Sequence, residues 1–221
     1  LKNPHEGALG ALDIGTLKAI VASVNGAIPS SATVGDIAPN EPGLLETIYQ
    51  VAETGVDIVK VGLFSNTVNE YFLHTIQQAV KQEVRIVVVL FAEDYIGLET
   101  NQDLLQTGIA GIMLDTKNKN EKRLPDILTL NVLKHFVNTT KEHSLISGLA
   151  GSLQYEDVKS LLSLEPDYLG FRGALCQNEN RINKIDQNKV SKIRKAIPRF
   201  GLMGYDQYNN EEEVLKHGSM A

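Results

Sequence analysis

A lysine lies in the middle of one of the most apolar stretches of the chain. The stretch is VDIVKVGLF, residues 56–64, and the lysine is Lys60. An ammonium group is rarely buried without a partner, and burial lowers the pKa of a lysine towards neutrality. A neutral amine can attack a carbonyl group to form a Schiff base, or it can accept a proton. The alternative is a side chain that reaches outward and pairs with an acid such as Asp57.

Two further candidates stand near the ends of apolar runs. Asp115 ends the run in IAGIMLDT, residues 109–116, where a carboxylate could orient a lysine, act as an acid or base, or only cap the next loop. Lys2 lies in LKNPHEG, where Pro4 favours an extended Asn3 and therefore a strand that ends in a loop. From the residues alone, Lys2 is best explained as a solvated lysine.

The last two apolar runs end in small residues that suit an anion. The two stretches are LAGS (149–152) and FRGA (171–174). Backbone N–H groups can approach a phosphate closely where side chains are small, and an arginine adds a forked cation. Tight turns alone would also explain these glycines. The candidates for phosphate binding are Gly151, Ser152, Arg172, Gly173 and Ala174.

Other polar residues give weaker signals. KNKNEKR at 117–123 is most simply a solvated loop, although its lysines could reach a phosphate. The five histidines are scattered and there is one cysteine, so the sequence shows no group with the spacing of a metal site. We therefore expect no metal, and the amine chemistry considered for Lys60 requires no organic cofactor.

Alternating strand-like and helix-like segments must bring the candidates together. Six apolar runs recur at spacings of roughly 22–36 residues, which suits a strand plus a crossover helix. Several runs are continuous, as in a sheet covered on both faces. No G-x-G-x-x-G follows a first strand, which disfavours a dinucleotide-binding fold. We predict an α/β fold of the TIM (β/α)8 barrel type, with its active site at the carboxyl ends of the strands.

The predicted barrel forms one domain over residues 1–221, with 201–221 as a tail or an extra helix. Only six strands are visible, and LKNP resembles the end of a further one. We therefore expect the N-terminal strand–helix unit of the barrel to be missing from this chain.

Composition excludes several classes of partner. The chain has 221 residues and a net charge of −6, which disfavours binding to nucleic acid or to membrane surfaces through bulk charge. It carries one cysteine, Cys176, and we find neither a membrane-spanning run nor a signal peptide. We expect a cytoplasmic protein whose partner is a small phosphorylated molecule.

Six motifs occur in the order and spacing of one known family. The motifs are LKNPHEGALGA, SATVGD, KVGLF, MLDT, LAGSL and GFRGALC. Together they resemble the (5-formylfuran-3-yl)methyl phosphate synthase family, also called 4-(hydroxymethyl)-2-furancarboxaldehyde phosphate synthase. The resemblance covers nearly the whole chain, from Leu1 to about Ile197.

The resemblance implies a TIM-barrel lyase that condenses two glyceraldehyde 3-phosphates into a furan aldehyde phosphate, with loss of water and one phosphate. The product serves the biosynthesis of methanofuran-type C1 carriers. The family's Schiff-base lysine falls on Lys2, its proton acceptor on Lys60 and its L-D-T acid on Asp115. The resemblance also implies a homo-oligomer.

Two departures from the family pattern matter. The family's motif begins with an acid two residues before the Schiff-base lysine, and this chain starts one residue too late to show it. Members often carry a lysine after A-G-S-L where this chain has Gln154, so turnover is altered or a neighbour such as Lys119 or Lys122 substitutes. Two alternatives stay open: a class I aldolase or isomerase for another sugar phosphate, and a barrel that binds a phosphometabolite without turnover.

Overall fold

The fold is a parallel α/β arrangement whose strands follow one another in space as they do along the chain. The computed structural model describes residues 1–65, 68–119 and 122–197. The predicted tail or helix at 201–221 lies outside the described residues, as does the end of the predicted single domain. The strands are β1 (Ser31–Thr33), β2 (Ile58–Leu63), β3 (Ile86–Phe91), β4 (Gly111–Asp115), β5 (Ile146–Leu149) and β6 (Tyr168–Leu169).

Helices connect the strands, as the spacing of the apolar runs predicts. The described α-helices are α1 (Ile14–Val24), α2 (Leu44–Ala52), α3 (Glu70–Lys81), α4 (Gln102–Leu105), α5 (Leu124–Ile127), α6 (Leu130–Glu142), α7 (Val158–Leu162) and α8 (Gln187–Ala196). Short 3-10 turns cover Ala92–Asp94, Leu98–Asn101, Tyr155–Asp157, Gly173–Leu175 and Gln177–Glu179. None of the described helices is long and apolar enough to cross a membrane.

Helix α3 shows why these segments are helical and how they pack. The side chain of Asn69 caps its first turn by accepting a hydrogen bond from the backbone N–H of Phe72 at 2.7 Å. Phe72, Ile76 and Ala79 recur at helical spacing and are buried. This apolar stripe joins the core between the helices and the outer face of the sheet.

The sheet buries both of its faces, and strand alternation decides which residues face inward. In β2, Val59 and Val61 belong to the core shared with the helices, whereas Ile58 belongs to a second, inner cluster. That inner cluster contains Leu9, Ile58, Val87, Val89, Phe91, Met113 and Ala150. Because side chains alternate along a strand, Lys60 lies on the same inner side as Ile58.

The sheet curves until strands far apart in its order face each other. The Lys60 ammonium group in β2 lies 5.1 Å from the ring centroid of Tyr168 in β6, although three strands separate these two. The Tyr168 hydroxyl donates to the sulfur of Met113 in β4 at 3.3 Å. Gly148 in β5 leaves room for the ring, since a Cβ there would lie 2.3 Å from Tyr168 Cζ.

The predicted parallel α/β fold is confirmed, but in the described part six strands form the wall rather than the eight of a complete barrel. Residues 1–3 add an extended segment beside β1, where Thr33 donates its backbone N–H to the carbonyl of Leu1 at 3.2 Å. The last strand is shorter than its apolar run predicts, because the chain leaves the sheet at Gly170 and turns into the 3-10 segment Gly173–Leu175.

Candidate active site

An inner cavity of about 250 Å³ opens at the carboxyl ends of the strands, inside the curve of the sheet. Its walls come from both ends of the sheet, from Leu1 and Thr33 on one side to Gly170 on the other. All eight residues singled out in the sequence line it. They are Lys2, Lys60, Asp115, Gly151, Ser152, Arg172, Gly173 and Ala174.

Lys60 faces the interior and does not pair with Asp57. The Asp57 carboxylate instead accepts hydrogen bonds from the backbone N–H and the hydroxyl of Ser30, at 2.6 and 2.9 Å. Burial lowers the pKa of Lys60 from its ordinary value, and the negative charge of Asp115 partly opposes this shift. The outward-reaching alternative for Lys60 is therefore wrong, and the amine is placed where it could accept a proton.

Lys2 lies against the cavity rather than in bulk solvent, which differs from the expectation based on the residues alone. Its side chain is 27% exposed, and its ammonium group donates to the backbone carbonyl of Ala8 at 3.1 Å. Burial lowers the pKa of Lys2 to about 8, while the Asp115 carboxylate opposes the shift. A lysine with this pKa supplies some neutral amine at physiological pH.

The carboxylate of Asp36 holds the loop whose Ala8 carbonyl accepts the hydrogen bond from Lys2. Asp36 accepts hydrogen bonds from the backbone N–H groups of Ala8 and Leu9, at 3.0 and 2.7 Å. Because Ala8 in turn accepts from Lys2, Asp36 helps to fix the position of that lysine without touching it. Asp36 therefore positions a loop and does not cap a helix.

Asp115 connects two of the lysines. It is the last residue of β4 and only 4% exposed. One carboxylate oxygen lies 2.5 Å from the ammonium group of Lys119, and the other lies 3.9 Å from that of Lys2. Asp115 also accepts from the backbone N–H of Thr116 at 2.8 Å, so the loop-capping role and the lysine-orienting role both apply.

Lys119 is a site residue that the sequence analysis placed in a solvated loop. Its side chain is only 11% exposed, and burial lowers its pKa against the opposing effect of Asp115. Glu93 holds the loop in place by accepting from the backbone N–H of Lys117 at 2.8 Å, and the Ser152 hydroxyl donates to the carbonyl of Lys119 at 2.8 Å. The sequence already suggests Lys119 as a possible substitute for the lysine absent at Gln154, and its four-residue spacing from Asp115 is a second signal.

Gln154 also lines the inner cavity. This position helps to decide which of two lysines could replace the family lysine that is absent there. Lys119 lines the same cavity as Gln154, whereas Lys122 is exposed and does not line it. Of these two cations, only Lys119 is placed to act on a molecule bound there.

The loop after β5 presents backbone donors to the cavity. Gly151 has a φ of +116° and Ser152 a φ of +50°, and a Cβ at Gly151 would lie 2.7 Å from Thr116 Cγ2. Glycine is therefore required at 151 both for its backbone angle and for the close approach. Within the described ranges, no protein acceptor receives the backbone N–H of Gly151 or Ser152. Such donors suit an anion.

The cavity is strongly positive although the chain is negative. Counted over the described residues, five cationic side chains line it, against two carboxylates, while the whole chain carries −6. The cations are Lys2, Lys60, Lys119, Arg172 and Arg181, and the acids are Asp115 and Glu179. Among the residues that the structure describes, no group of three or more His, Cys, Asp or Glu side chains could hold a metal ion. The charges instead suit a ligand with one or more phosphates.

Comparisons of the sequence give a consistent set of relatives. A sequence model described as 4-HFC-P synthase matches residues 1–194. The (5-formylfuran-3-yl)methyl phosphate synthase of Methanopyrus kandleri is 33% identical over 210 residues, which span 89% of this chain and 88% of that protein. The synthase of the same name from Methanosarcina barkeri is 34% identical over 205 residues, or 87% of each. A Methylorubrum extorquens protein provisionally given this name is 37% identical over 196 residues, 89% of this chain and 80% of that protein.

Solved structures with similar folds share little sequence. A 3-hexulose-6-phosphate synthase superposes with a TM-score of 0.57 at 14% identity, over 84% of this chain and 81% of that one. The thiamine phosphate pyrophosphorylase of Pyrococcus furiosus gives 0.55 at 11%, over 83% and 74%. At these identities the likeness shows the fold alone, a parallel α/β architecture of the barrel-like kind.

Proposed function

The chain belongs to the 4-HFC-P synthase family, and from this membership we propose that it makes (5-formylfuran-3-yl)methyl phosphate from two molecules of glyceraldehyde 3-phosphate. The resemblance of the six motifs to this family is thereby confirmed. One observation carries the reaction type: two half-buried lysines, Lys2 and Lys60, and a carboxylate, Asp115, face one positive cavity. This arrangement suits Schiff-base chemistry on a phosphorylated aldehyde.

In the proposed first step, the neutral amine of Lys2 attacks the carbonyl carbon of one triose phosphate. Loss of water from the adduct leaves a protonated imine. The positive nitrogen then accepts the electron pair released when a proton leaves the neighbouring carbon, which lowers the cost of forming the carbanion. The pKa of about 8 supports this role for Lys2, because a fully protonated amine is no nucleophile.

Lys60 is proposed as the base that removes this proton. Burial lowers its pKa, which favours the neutral amine that can accept a proton. Asp115 is proposed to orient Lys2 and Lys119 through its two oxygens. The proton that Lys60 takes returns to the substrate in the later eliminations.

The later steps balance without an oxidant or reductant. The carbanion carbon bonds to the carbonyl carbon of the second triose phosphate, and ring closure follows. Elimination of one phosphate, loss of two waters overall and hydrolytic release of Lys2 give the furan aldehyde, which keeps the other phosphate. We propose that the backbone donors of Gly151 and Ser152, the neighbouring Gly173 and Ala174, and the guanidinium of Arg172 bind phosphate.

Reduction with borohydride tests the proposal directly. The protein is mixed with glyceraldehyde 3-phosphate, reduced and digested, and mass spectrometry locates the adduct, which we expect on Lys2. Lys60→Ala should abolish the furan product. Lys192→Ala, an exposed lysine that lies over the Tyr155 ring, serves as the matched control and should change neither result.

Each alternative predicts a different outcome of the same experiment. Preferential trapping of another sugar phosphate would favour a class I aldolase or isomerase. Binding without an adduct or product would favour a barrel that only binds a phosphometabolite. Furan formation with no adduct on any lysine would contradict the imine mechanism.

The family resemblance carries further proposals about the whole protein. We propose that the protein forms a closed (β/α)8 barrel, because the curvature that brings β2 opposite β6 is that of a barrel wall. We also propose a cytoplasmic homo-oligomer. An experimental structure tests closure, and light scattering on the purified protein tests the subunit number.

A further inference from the structure

The chain forms a short hairpin directly after the loop that carries Arg172. Cys176 and Ile185 form an antiparallel bridge, and Gln177 donates its backbone N–H to the carbonyl of Lys184 at 2.9 Å. Its tip carries Arg181, which reaches back to the first loop of the chain. There the Arg181 guanidinium donates to the carbonyl of Gly7 in a long bond of 3.4 Å.

Arg181 stands at the junction of two cavities. It lines the inner cavity with the lysines, and it also lines an outer cavity of about 720 Å³. The outer cavity is bounded by the first loop, including His5, by the loop that carries Lys117 and Lys119, and by the hairpin tip. Lys119, Glu179 and Arg181 are common to both linings, so the two cavities adjoin at these residues.

Arg172 and Arg181 differ in their ion pairing from Lys117 and Lys119, the cations of the neighbouring loop. Lys119 pairs with Asp115, and Lys117 pairs with Asp94. For Arg172 and Arg181, by contrast, no carboxylate lies within 4.0 Å in residues 1–65, 68–119 and 122–197.

The two guanidinium groups are also close enough to repel each other. Both side chains are half-buried. Burial lowers the pKa of Arg181, the Asp115 carboxylate opposes this shift, and the positive charge of Arg172 adds to it. Like charges held together away from bulk water are unfavourable unless an anion lies between them. A dianion placed between the two guanidinium groups would offset their mutual repulsion.

We propose that Arg181 and Arg172 together bind one phosphate group at the junction of the inner and outer cavities. The identity of its carrier, a triose phosphate, rests on the proposed function. Two guanidinium forks match the oxygens of a phosphate dianion better than lysines do.

The position of the site indicates which phosphate it holds. The proposed reaction releases one phosphate and keeps the other on the product. A phosphate at the junction has the inner cavity on one side and the larger, more open cavity on the other. We assign the site to the phosphate that is eliminated, so inorganic phosphate should rebind there as a product.

Titration calorimetry with inorganic phosphate tests the site without any turnover. Arg181→Gln should weaken phosphate binding by about tenfold or more, since a charge-assisted fork is lost. Arg181→Lys keeps the charge but not the fork and should fall between wild type and Arg181→Gln. Lys184→Gln is the matched control: this cation lies in the same hairpin, is exposed and lines neither cavity, so binding should change less than twofold.

A double-mutant comparison tests whether the two arginines share one anion. If they do, the loss in Arg172→Gln/Arg181→Gln is smaller than the product of the two single losses, because either substitution alone already disrupts the clamp. Multiplicative losses would show two separate sites and would overturn the proposal. Circular dichroism on each variant confirms that it is folded before binding is compared.

The outcomes separate this inference from the proposed function. If borohydride traps glyceraldehyde 3-phosphate on Lys2 but Arg181→Gln binds inorganic phosphate as wild type does, the arginine site is wrong and the synthase stands. If neither an adduct nor the furan product forms but phosphate binding depends on both arginines, the site stands and the synthase fails. If Lys184→Gln and Arg181→Gln weaken phosphate binding equally, general surface charge explains the effect and the proposed site is wrong.

Discussion

The pKa of Lys2 should be visible in the pH dependence of Schiff-base formation. With a pKa of about 8, roughly a tenth of the amine is neutral at pH 7. Only the neutral amine attacks, so the trapping rate with cyanoborohydride should rise with pH up to about 8 and level off above it. The measurement is the initial rate of adduct formation on Lys2 between pH 6 and 9.5. A rate that keeps rising towards the ordinary lysine pKa of about 10.4 would show that Lys2 is not desolvated.

Replacing Asp115 should have two opposite effects on the lysines and on stability. Asp115→Asn removes the charge that raises the pKa of Lys2 and Lys119, so the trapping profile of Lys2 should move to lower pH. It also leaves Lys119 buried without its ion pair, and the free energy of unfolding should fall by about 3 kcal/mol.

The exposed pair of Asp126 and Arg123 provides the control for Asp115→Asn. Asp126→Asn should cost less than about 1 kcal/mol, because water screens that pair. Urea unfolding at pH 7 measures both changes. Equal losses in the two variants would contradict a buried role for Asp115.

At the residue scale, the side chains that could do chemistry are easier to predict from the sequence than the residues that bury and hold them. Lys60 and Asp115 stand out because a charge in an apolar run needs a reason. Lys119 does not stand out, since its neighbours in the sequence are polar and its burial depends on Glu93 and Ser152, which are distant in the chain. Lys2 likewise depends on the loop held by Asp36.

At the scale of strands, the contact between β2 and β6 should tune the base. The Tyr168 ring lies beside the Lys60 ammonium group, and an aromatic face stabilises a cation. Tyr168→Leu should therefore move the titration of Lys60 to lower pH. Tyr168→Phe keeps the ring but loses the hydroxyl bond to Met113, and it should leave the titration near that of wild type.

Competitive acetylation as a function of pH, with mass spectrometry of the Lys60 peptide, measures this titration without substrate. The exposed Lys192 supplies an internal reference in the same digest. Equal shifts in Tyr168→Leu and Tyr168→Phe would assign the effect to the hydroxyl or to loosened packing, and the cation–ring contact would carry no weight.

The elements themselves follow from local patterns, and their lengths follow from distant contacts. The apolar stripe of α3 and the continuous run of β3 are sufficient to predict a helix and a buried strand. The shortness of β6 is not predictable from its own residues. It depends on the bend at Gly170, where a Cβ would lie 2.9 Å from the Cβ of Ala150.

At the scale of the whole molecule, the charge of the inner cavity is opposite in sign to the net charge of the chain. The chain is negative, yet its inner cavity collects cations, so substrate attraction should be local and sensitive to salt. Raising ionic strength from 20 to 200 mM should raise the half-saturating concentration of glyceraldehyde 3-phosphate severalfold, because screening shortens to below about 10 Å. Adduct formation measured over a range of substrate concentrations gives this value.

Unphosphorylated glyceraldehyde is the matched control for the salt effect. It has the same aldehyde but no dianion, so its half-saturation should stay constant over the same range. Parallel changes for both compounds would point to a change in the protein and would contradict electrostatic capture.

The alternation of apolar runs and helical stripes predicts a parallel sheet. It also predicts that the site lies at the carboxyl ends of the strands. It does not predict how far the sheet curves. That curvature is set by which side chains meet across the interior, such as Tyr168 with Lys60 and Met113, and these pairs come from strands that are not neighbours.

The contact between Arg181 and Gly7 joins positions 174 residues apart, across the opening of the inner cavity. During translation, the ribosome must release nearly all of the described chain before that contact can form. Until then the nascent lysines remain in water, where they are protonated and react slowly with cellular sugars. Under the proposed function, reactivity towards aldehydes would arise only with the finished fold, which would protect the growing polypeptide from its own future substrate.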